Sequence, residues 1–222
     1  MTAPVLEAND LYRFFHAGEE ETLALRGVSV SVEQGEMLVV NGPSGSGKST
    51  LLACLAGLDE PDGGMVRVAG QPMSRRPEPE RSGVRARYIG MLFQSANLFE
   101  HLTVEQNLAL VQRLAAGPVK ASPSEVLDDL GLGGRRRAYP SQLSGGEVAR
   151  AGLAVAVAND PAVVLADEPT GEVDSSTEGR VLGLLRERAR RGAAVVVVSH
   201  SPAVAAAADR TISLADGVVV PQ

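Results

Sequence analysis

The feature that most limits the fold of this 222-residue chain is a glycine-rich run between an apolar strand and a helical pattern. Residues 42–50 read Gly-Pro-Ser-Gly-Ser-Gly-Lys-Ser-Thr and fit the spacing Gly-x4-Gly-Lys-Ser/Thr. The strand pattern Met37–Val40 precedes the run, and the helical pattern Ser49–Ala56 overlaps its end. Glycines let successive backbone N–H groups face one anion, and a helix N-terminus adds its positive end. The run therefore predicts a phosphate-binding loop, against the alternative of an ordinary Gly-Ser turn.

The residue types in this loop predict contacts with a nucleotide. We expect Lys48 to reach the β- and γ-phosphates, and the Ser49 hydroxyl to coordinate Mg²⁺. Thr50 fits a helix cap or a packing residue as well as a ligand. The predicted nucleotide-binding residues of the loop are Gly42, Pro43, Ser44, Gly45, Ser46, Gly47, Lys48, Ser49 and Thr50.

Two acids follow a second apolar strand pattern. The run Ala162–Ala166 is followed by Asp167 and Glu168. In phosphate-loop proteins a carboxylate at the end of a neighbouring strand holds Mg²⁺, which is the expected role of Asp167. Glu168 is then placed to activate water as a general base. Without the phosphate loop, two solvated acids at a strand end would be the better interpretation.

Short β-branched runs alternate with helical patterns, which predicts an α/β fold with a largely parallel sheet. The alternating segments are Met37–Val40, Ser49–Ala56, Ala162–Ala166, Ser175–Arg191, Val195–Ser199 and Pro202–Ala208. Antiparallel strands are predicted at Val28–Val32, at Met65–Val68, and at Ile212–Leu214 with Val218–Val220 around a turn. By contrast, the Pro-, Arg- and Glu-rich segment Gln71–Gly83 predicts an exposed loop.

The middle of the chain, from Thr103 to Ala158, has a helical pattern. Pairs with the spacing of a capping box mark helix starts there and beyond. These pairs are Thr103 with Gln106, Ser122 with Glu125, Ser144 with Glu147, and Ser175 with Glu178. The pattern predicts one domain, residues 1–222. Its core and antiparallel β sub-domain comprise about 1–93 and 159–222. The inserted helical sub-domain comprises about 95–158.

Charge and composition disfavour several classes of function. The chain has 21 basic and 27 acidic residues, and this net charge of −6 disfavours binding to a nucleic-acid backbone. The apolar stretch Ala151–Ala166 is broken by Asn159 to Pro161 and falls short of the ~20 residues of a membrane helix. The acids Glu7 and Asp10 disfavour a signal peptide, and the single Cys54 favours a reducing setting. We therefore expect a cytosolic protein with no nucleic-acid partner.

The segment Leu143-Ser144-Gly145-Gly146-Glu147 lies 20 residues before Asp167 and resembles the signature of ATP-binding-cassette ATPases. The resemblance covers essentially the whole chain, because Gln94, Asp174 and His200 fall at the family's Q-loop, D-loop and switch histidine. The residues alone favour a second anion site. Ser144 would cap a helix, and Gly145 and Gly146 would leave its first N–H groups open to an anion, although the same run also fits a plain helix start.

The resemblance implies a P-loop NTPase fold and a head-to-tail dimer with two ATP molecules at its interface. Ser144, Gly145, Gly146, Glu147 and Asp174 would contact the nucleotide held by the other subunit or shape that interface. The implied catalytic residues are Glu168, His200, Gln94 and Lys48, and the implied Mg²⁺ ligands are Ser49, Gln94 and Asp167. Alternatively, Gln94 is an ordinary loop amide, His200 is structural, and Asp174 is a turn residue before a Ser175 cap. Phe15 is the expected adenine-stacking ring, with Tyr12 and Phe14 as core residues.

The run Ala166–Gly171 and the acidic insert Ala17–Glu21 resemble one branch, the ATPase subunits of macrolide exporters (MacB), lipoprotein-release complexes (LolD) and the division regulator FtsE. This implies separate FtsX-like transmembrane permease subunits, a position on the cytoplasmic side of the cell membrane, and ATP-powered transport or extraction of the export type. An FtsE-like ATPase that regulates a membrane partner without transport is the alternative. A cassette ATPase of translation or repair would instead predict two cassettes, a coiled coil or zinc-binding cysteines.

Some positions depart from the pattern of that family. Val148-Ala149 stands where the family has Gln-Gln, Glu172-Val173 replaces an Asn- or Ala-Leu pair, and Asn41 replaces an apolar residue. None of these changes removes an implied catalytic group. The run Arg135–Arg137 is expected to be a solvated surface, with contact to lipid or a permease loop as the alternative.

Overall fold

The computed structural model describes residues 4–17, 20–94, 97–115, 120–171 and 173–220. The strands are β1 Leu6–Ala17, β2 Glu20–Val32, β3 Met37–Asn41, β4 Gly63–Val68, β5 Gln71–Pro72, β6 Ile89–Leu92, β7 Val163–Asp167, β8 Ala194–Val198, β9 Arg210–Ala215 and β10 Val218–Val220. The α-helices are α1 Lys48–Leu55, α2 Glu78–Tyr88, α3 Val104–Leu114, α4 Pro123–Asp129, α5 Gly145–Val157, α6 Ser175–Arg190 and α7 Pro202–Ala207.

The larger sheet has the order β10-β9-β3-β8-β7-β6, and all its neighbouring pairs are parallel except β10 with β9. Its central strands are buried on both faces, as apolar runs in parallel sheets are. Alternate residues enter two different cores. Met37 and Val39 pack with helices α3 to α6, whereas Leu38 and Val40 pack with α1 and the antiparallel strands. The predicted α/β fold with a parallel sheet is therefore confirmed.

The smaller sheet has the order β2-β1-β4-β5 and is antiparallel. The strands predicted at Val28–Val32 and Met65–Val68 lie in it. The long strand β1 was not predicted, because its pairing with β2 shifts register between Ala8 and Leu11, where Asp10 has a φ of +49°. A bulge of this kind interrupts the two-residue alternation by which a strand is recognised.

The helical pattern between Thr103 and Ala158 corresponds to α3, α4, α5 and two short 3-10 turns. The capping boxes predicted at Thr103, Ser122 and Ser144 are all present. Among the residues that the structure describes, no helix is long and apolar enough to cross a membrane.

The prediction of a loop over Gln71–Gly83 is wrong in its second half, where α2 begins at Glu78. No residue of α2 is fully buried, and only Val84 and Tyr88 pack against the core, so the apolar pattern is too short to reveal the helix. Ion pairs connect its other side chains. Arg81 pairs with Glu78 at 3.0 Å and with Glu60 at 2.9 Å, and Arg85 also donates to Glu78.

Gly90 in β6 offers a test of how closely the helical layer approaches the parallel sheet. A Cβ at Gly90 would lie 2.0 Å from the Ala156 carbonyl oxygen of α5. We expect Gly90→Ala to lower the free energy of unfolding by about 1–3 kcal/mol, because the backbone must move. Gly183, exposed in α6, has open space around its Cβ position. Gly183→Ala should raise the free energy of unfolding by about 0.5–1 kcal/mol. Urea unfolding of both variants measures these free energies. Equal stabilities of the two variants would contradict the close approach of Gly90 to α5.

Candidate functional site

The phosphate loop joins β3 to α1, and its lysine is folded back over it. Lys48 Nζ donates hydrogen bonds to the carbonyl oxygens of Gly42 and Pro43, both at 2.8 Å. Gly47, with a φ of +100°, precedes the helix, and a Cβ there would lie 2.4 Å from the Ala24 carbonyl oxygen. Only glycine fits this position, which is why the loop can wrap so tightly around the start of α1.

The two acids lie at the carboxyl end of β7. Burial raises the pKa of Asp167, and a hydrogen bond from the Ser49 hydroxyl and the charge of Lys48 act against this rise. Asp167 is thus a partly desolvated carboxylate beside the start of α1. Such a group is poised to interact with a cation.

Glu168 is held by the end of the neighbouring strand β8. The Ser199 hydroxyl donates to Glu168 Oε2 at 3.1 Å, and His200 Nδ1 lies 2.9 Å from Glu168 Oε1. The Glu168 N–H donates to the Val198 carbonyl oxygen at 2.9 Å, which continues the pairing of the two strands. Glu168 has a φ of +44°, an uncommon conformation for a residue with a side chain. Neighbouring backbone and side-chain bonds therefore fix both its main chain and its carboxylate.

Glu178 is a further residue near the site that the sequence did not reveal in this role. Its carboxylate accepts hydrogen bonds from Ser201 Oγ at 2.7 Å and from Thr170 Oγ1 at 3.4 Å. The Ser201 N–H also donates to Ser199 Oγ at 3.2 Å. Glu178 thus connects the segment after Glu168 to the segment that carries His200.

One cavity of about 770 Å³ brings most of the predicted site residues together. Its lining includes Phe15, Gly42, Pro43, Ser44, Gly45, Gly47, Lys48, Ser49, Thr50, Gln94, Asp167, Glu168 and His200. Ser46 is buried in the loop at 3% exposure and is not part of the lining. Tyr12 is not in the lining either, and its ring lies against Gly27 and Gly63.

The signature segment lies outside this cavity. Ser144 caps α5, and Glu147 Oε2 accepts from the Ser144 N–H at 2.9 Å. This bond, with those from Arg135 and the Ser144 hydroxyl, lowers the pKa of Glu147 to about 2. Gly145 lines a separate groove of about 270 Å³ together with Gln94 and other residues.

Arg135 and Arg137 are exposed and Arg136 is half-buried, so the run lies at the surface, and its first two residues also form ion pairs. Arg135 Nε donates to Glu147 Oε1 at 2.7 Å, which pairs this exposed arginine with the first turn of the signature helix. Arg136 pairs with Asp128 of α4. Side-chain pairs of this kind depend on the fold and cannot be read from a run of like charges.

Asp174 is the N-cap of α6, and the prediction of a Ser175–Glu178 capping box is therefore wrong. Asp174 Oδ1 accepts from the N–H groups of Ser176 at 2.9 Å and Thr177 at 3.2 Å. Hydrogen bonds, the largest from the Ser176 hydroxyl, lower the pKa of Asp174. Asp174 is not in the lining of the cavity.

Two departures from the family pattern have different outcomes. The polar Asn41 accepts a hydrogen bond from Ser213 Oγ at 2.6 Å, which joins β3 to β9. Glu172 lies outside the described residues, as does part of the acidic insert, residues 18 and 19.

Comparison with known proteins agrees with this geometry. The family model for ABC transporters matches residues 25–171. The macrolide export ATP-binding/permease protein MacB of Shigella flexneri is 41% identical over 98% of this chain and 34% of that protein. The MacB protein of Escherichia coli strain K12 has the same identity and coverage. The chain thus spans about a third of the length of the curated relatives it matches.

Among solved structures, a dimeric post-hydrolysis state of the ATP-binding cassette MJ0796 bound to ADP and Pi aligns with a TM-score of 0.89 and 32% identity, over 97% of both chains. The fold, the cavity and these matches define an ATPase of the ATP-binding-cassette type. The chain belongs to the ABC transporter family.

The N-cap of α6 can be tested by a matched pair of variants. Asp174→Ala removes the acceptor of two backbone N–H groups, whereas Ser175→Ala removes only the hydroxyl of the first helical residue. We expect the thermal midpoint to fall for Asp174→Ala and to stay at the wild-type value for Ser175→Ala, measured without nucleotide. A lower thermal midpoint for Ser175→Ala and an unchanged one for Asp174→Ala would instead support the Ser175–Glu178 capping box.

Proposed function

We propose that this chain binds MgATP in the 770 Å³ cavity and hydrolyses it within a head-to-tail dimer, to power export through separate permease subunits. The observation that carries the proposal is the placement of the phosphate loop, Asp167 and the Glu168–His200 pair around one cavity. The proposed catalytic residues are Glu168, His200, Gln94 and Lys48.

The contacts of Lys48 support the proposed phosphate binding. Its ammonium group donates to two loop carbonyl oxygens, and the β- and γ-phosphates would replace these with charged acceptors. Hydrogen bonds between charged groups are about twice as strong as neutral ones, which favours the exchange. The N–H groups of the loop and of the start of α1 complete the cradle.

The residues around Asp167 fit magnesium. Mg²⁺ prefers oxygen ligands and is commonly held by one or two carboxylates together with the phosphates. The Asp167 carboxylate, its hydrogen-bonded neighbour Ser49 and the amide oxygen of Gln94 offer oxygen donors around the same cavity. Bound Mg²⁺ would neutralise the charge that develops on the phosphate oxygens.

Glu168 is the proposed general base, which takes a proton from the attacking water. Ser199 and His200 hold its two carboxylate oxygens, so little reorganisation is needed. His200 is 77% exposed in its side chain, which leaves it free to contact the γ-phosphate. The Phe15 ring, which lines the cavity and is 41% exposed, is the proposed platform for adenine.

A second subunit supplies the signature in this proposal. Ser144, Gly145, Gly146 and Glu147 form a capped helix start that does not line the phosphate cavity of its own chain. A head-to-tail arrangement would bring this helix start, with Asp174 nearby, to the nucleotide of the other subunit. The dimeric state of the MJ0796 cassette supports the formation of a dimer.

The segment after Gln94 is the proposed contact with the permease. Phe99 is 53% exposed, yet its backbone is held rigidly by the buried Asn107. The Phe99 N–H donates to Asn107 Oδ1 at 2.7 Å, and Asn107 Nδ2 donates to three backbone carbonyls between Phe99 and Thr103. An exposed aromatic ring on a fixed backbone is typical of an interface anchor. Together with the similarity to MacB, this supports an FtsX- or MacB-like permease and a position on the cytoplasmic side of the membrane.

Two variants separate binding from chemistry. Glu168→Gln should lower ATP turnover by about 10²–10⁴-fold, because the base is lost, while ATP binding remains and the closed dimer accumulates. Lys48→Ala should instead weaken ATP binding by about 10–100-fold in calorimetry, because charged hydrogen bonds to phosphate are lost. Glu33→Gln, an exposed carboxylate outside the cavity lining, is the matched control. Near-normal phosphate release by Glu168→Gln would exclude it as the base.

The permease contact is tested by purification of the tagged chain from detergent-solubilised membranes. The wild type should co-purify with a multi-spanning membrane protein, and Phe99→Asp should lose it while its ATP affinity is unchanged. Met65→Asp places the same charge at an exposed apolar residue of β4 and should retain the partner. Retention by Phe99→Asp together with loss by Met65→Asp would place the contact on the antiparallel sheet instead.

A further inference from the structure

We infer that Arg13 is a positioning residue, which holds the Phe15 ring as a fixed platform for the nucleobase. The inference rests on the proposed stacking of adenine on Phe15. Arg13 and Phe15 are two residues apart in β1, at an irregularity in the pairing of β1 with β2.

The guanidinium group of Arg13 is anchored by four hydrogen bonds. Nε and Nη2 donate to the two carboxylate oxygens of Asp59, both at 2.8 Å. Nη1 donates to Asp62 Oδ2 at 3.0 Å and to the Phe14 carbonyl oxygen at 3.2 Å. A bidentate pair of this geometry fixes the plane of the guanidinium as well as its position.

The same carboxylates hold the backbone beside the ring. Asp62 Oδ2 also accepts from the Phe14 N–H at 2.8 Å, and this bond is the largest cause of the lowered pKa of Asp62. Asp59 and Asp62 lie in the segment between α1 and β4. They therefore tie the end of β1 to the helix that begins at the phosphate loop.

The anchored guanidinium lies over the Phe15 ring. Arg13 Cζ is 4.7 Å from the centroid of that ring, within the range of a cation–π contact. The ring also lines the phosphate cavity and is 41% exposed. The guanidinium thus covers one side of the ring, and another part remains available to a ligand in the cavity.

An aromatic platform is effective only if its orientation does not have to be fixed when the ligand binds. Ordering a side chain on binding weakens affinity, and a group already held in place avoids this loss. Without Arg13 the ring would lose its contact on one side. The loss should therefore weaken ligands that contain a base and spare ligands that consist of phosphates alone.

The test compares ATP with inorganic tripolyphosphate, which has no base. Both are titrated with Mg²⁺ in a calorimeter against full-length Glu168→Gln protein, so that ATP is not consumed. Arg13→Gln and Phe15→Leu are made in this background, singly and together. Arg67→Gln, an exposed arginine of β4, is the matched control.

We expect Arg13→Gln and Phe15→Leu each to weaken ATP binding by about 5- to 30-fold, the range of a one to two kcal/mol contact. The affinity for tripolyphosphate should stay within about 2-fold of that of the parent protein. The double variant should bind ATP no more weakly than Phe15→Leu alone, because Arg13 acts through Phe15. Arg67→Gln should change neither affinity. If Arg13→Gln does not fold, Asp62→Asn replaces it, because it weakens the anchoring of the Arg13 guanidinium. Its affinities for ATP and tripolyphosphate are then compared in the same way.

The contrary outcomes are distinct. Equal weakening of both ligands by Arg13→Gln would show a general structural role, and additive effects in the double variant would show that Arg13 acts independently of Phe15. Unchanged ATP affinity in Arg13→Gln, with a loss in Phe15→Leu, would overturn the positioning role alone. Unchanged ATP affinity in Phe15→Leu would overturn the proposed adenine stacking itself.

Discussion

Burial of the parallel strands between two apolar layers determines where the polar groups of the site emerge. Because β3, β8 and β7 are covered on both faces, polar side chains are tolerated only where these strands end. The carboxyl ends of β3, β6, β7, β8 and β9 all deliver residues to the lining of one cavity. Crevices at this edge are the usual binding sites of open α/β sheets. The phosphate loop, the acids and His200 are neighbours for this reason, although they are distant in sequence.

Within this edge, Glu168 joins two strand ends. Its backbone N–H extends the pairing of β7 with β8, and its carboxylate meets Ser199 and His200 beyond the end of β8. The carboxylate of Glu178 then accepts from Ser201 of the following segment. A displacement of the His200 segment would therefore alter the hydrogen bonds of both Glu168 and α6, because these polar contacts share residues.

The sequence was most informative where one residue type is required at one position. The strand–loop–helix order around residues 42–50 and the three capping boxes depend on short spacings, and the structure has them where they were predicted. The helix α2 was missed because only Val84 and Tyr88 of its residues pack against the core, among many charged ones. The cap of α6 was misplaced by one residue, since Asp174 and Ser175 both suit an N-cap and only the backbone decides between them. The partners of Arg135 and Arg13 lie on other elements, so the role of these side chains depends on the tertiary fold.

The departures in the signature helix have a physical consequence at the groove beside the cavity. Val148 and Ala149, which stand where the family has two glutamines, line this groove with Gln94 and Glu168. Ala149 also packs against the core. Small apolar side chains cannot hydrogen-bond across the groove, so contact between the signature helix and the segment of Gln94 depends on packing. Packing falls off steeply with distance and tolerates only a close approach. With the role proposed for Gln94, a change at the nucleotide would therefore reach the signature helix through close packing across this groove.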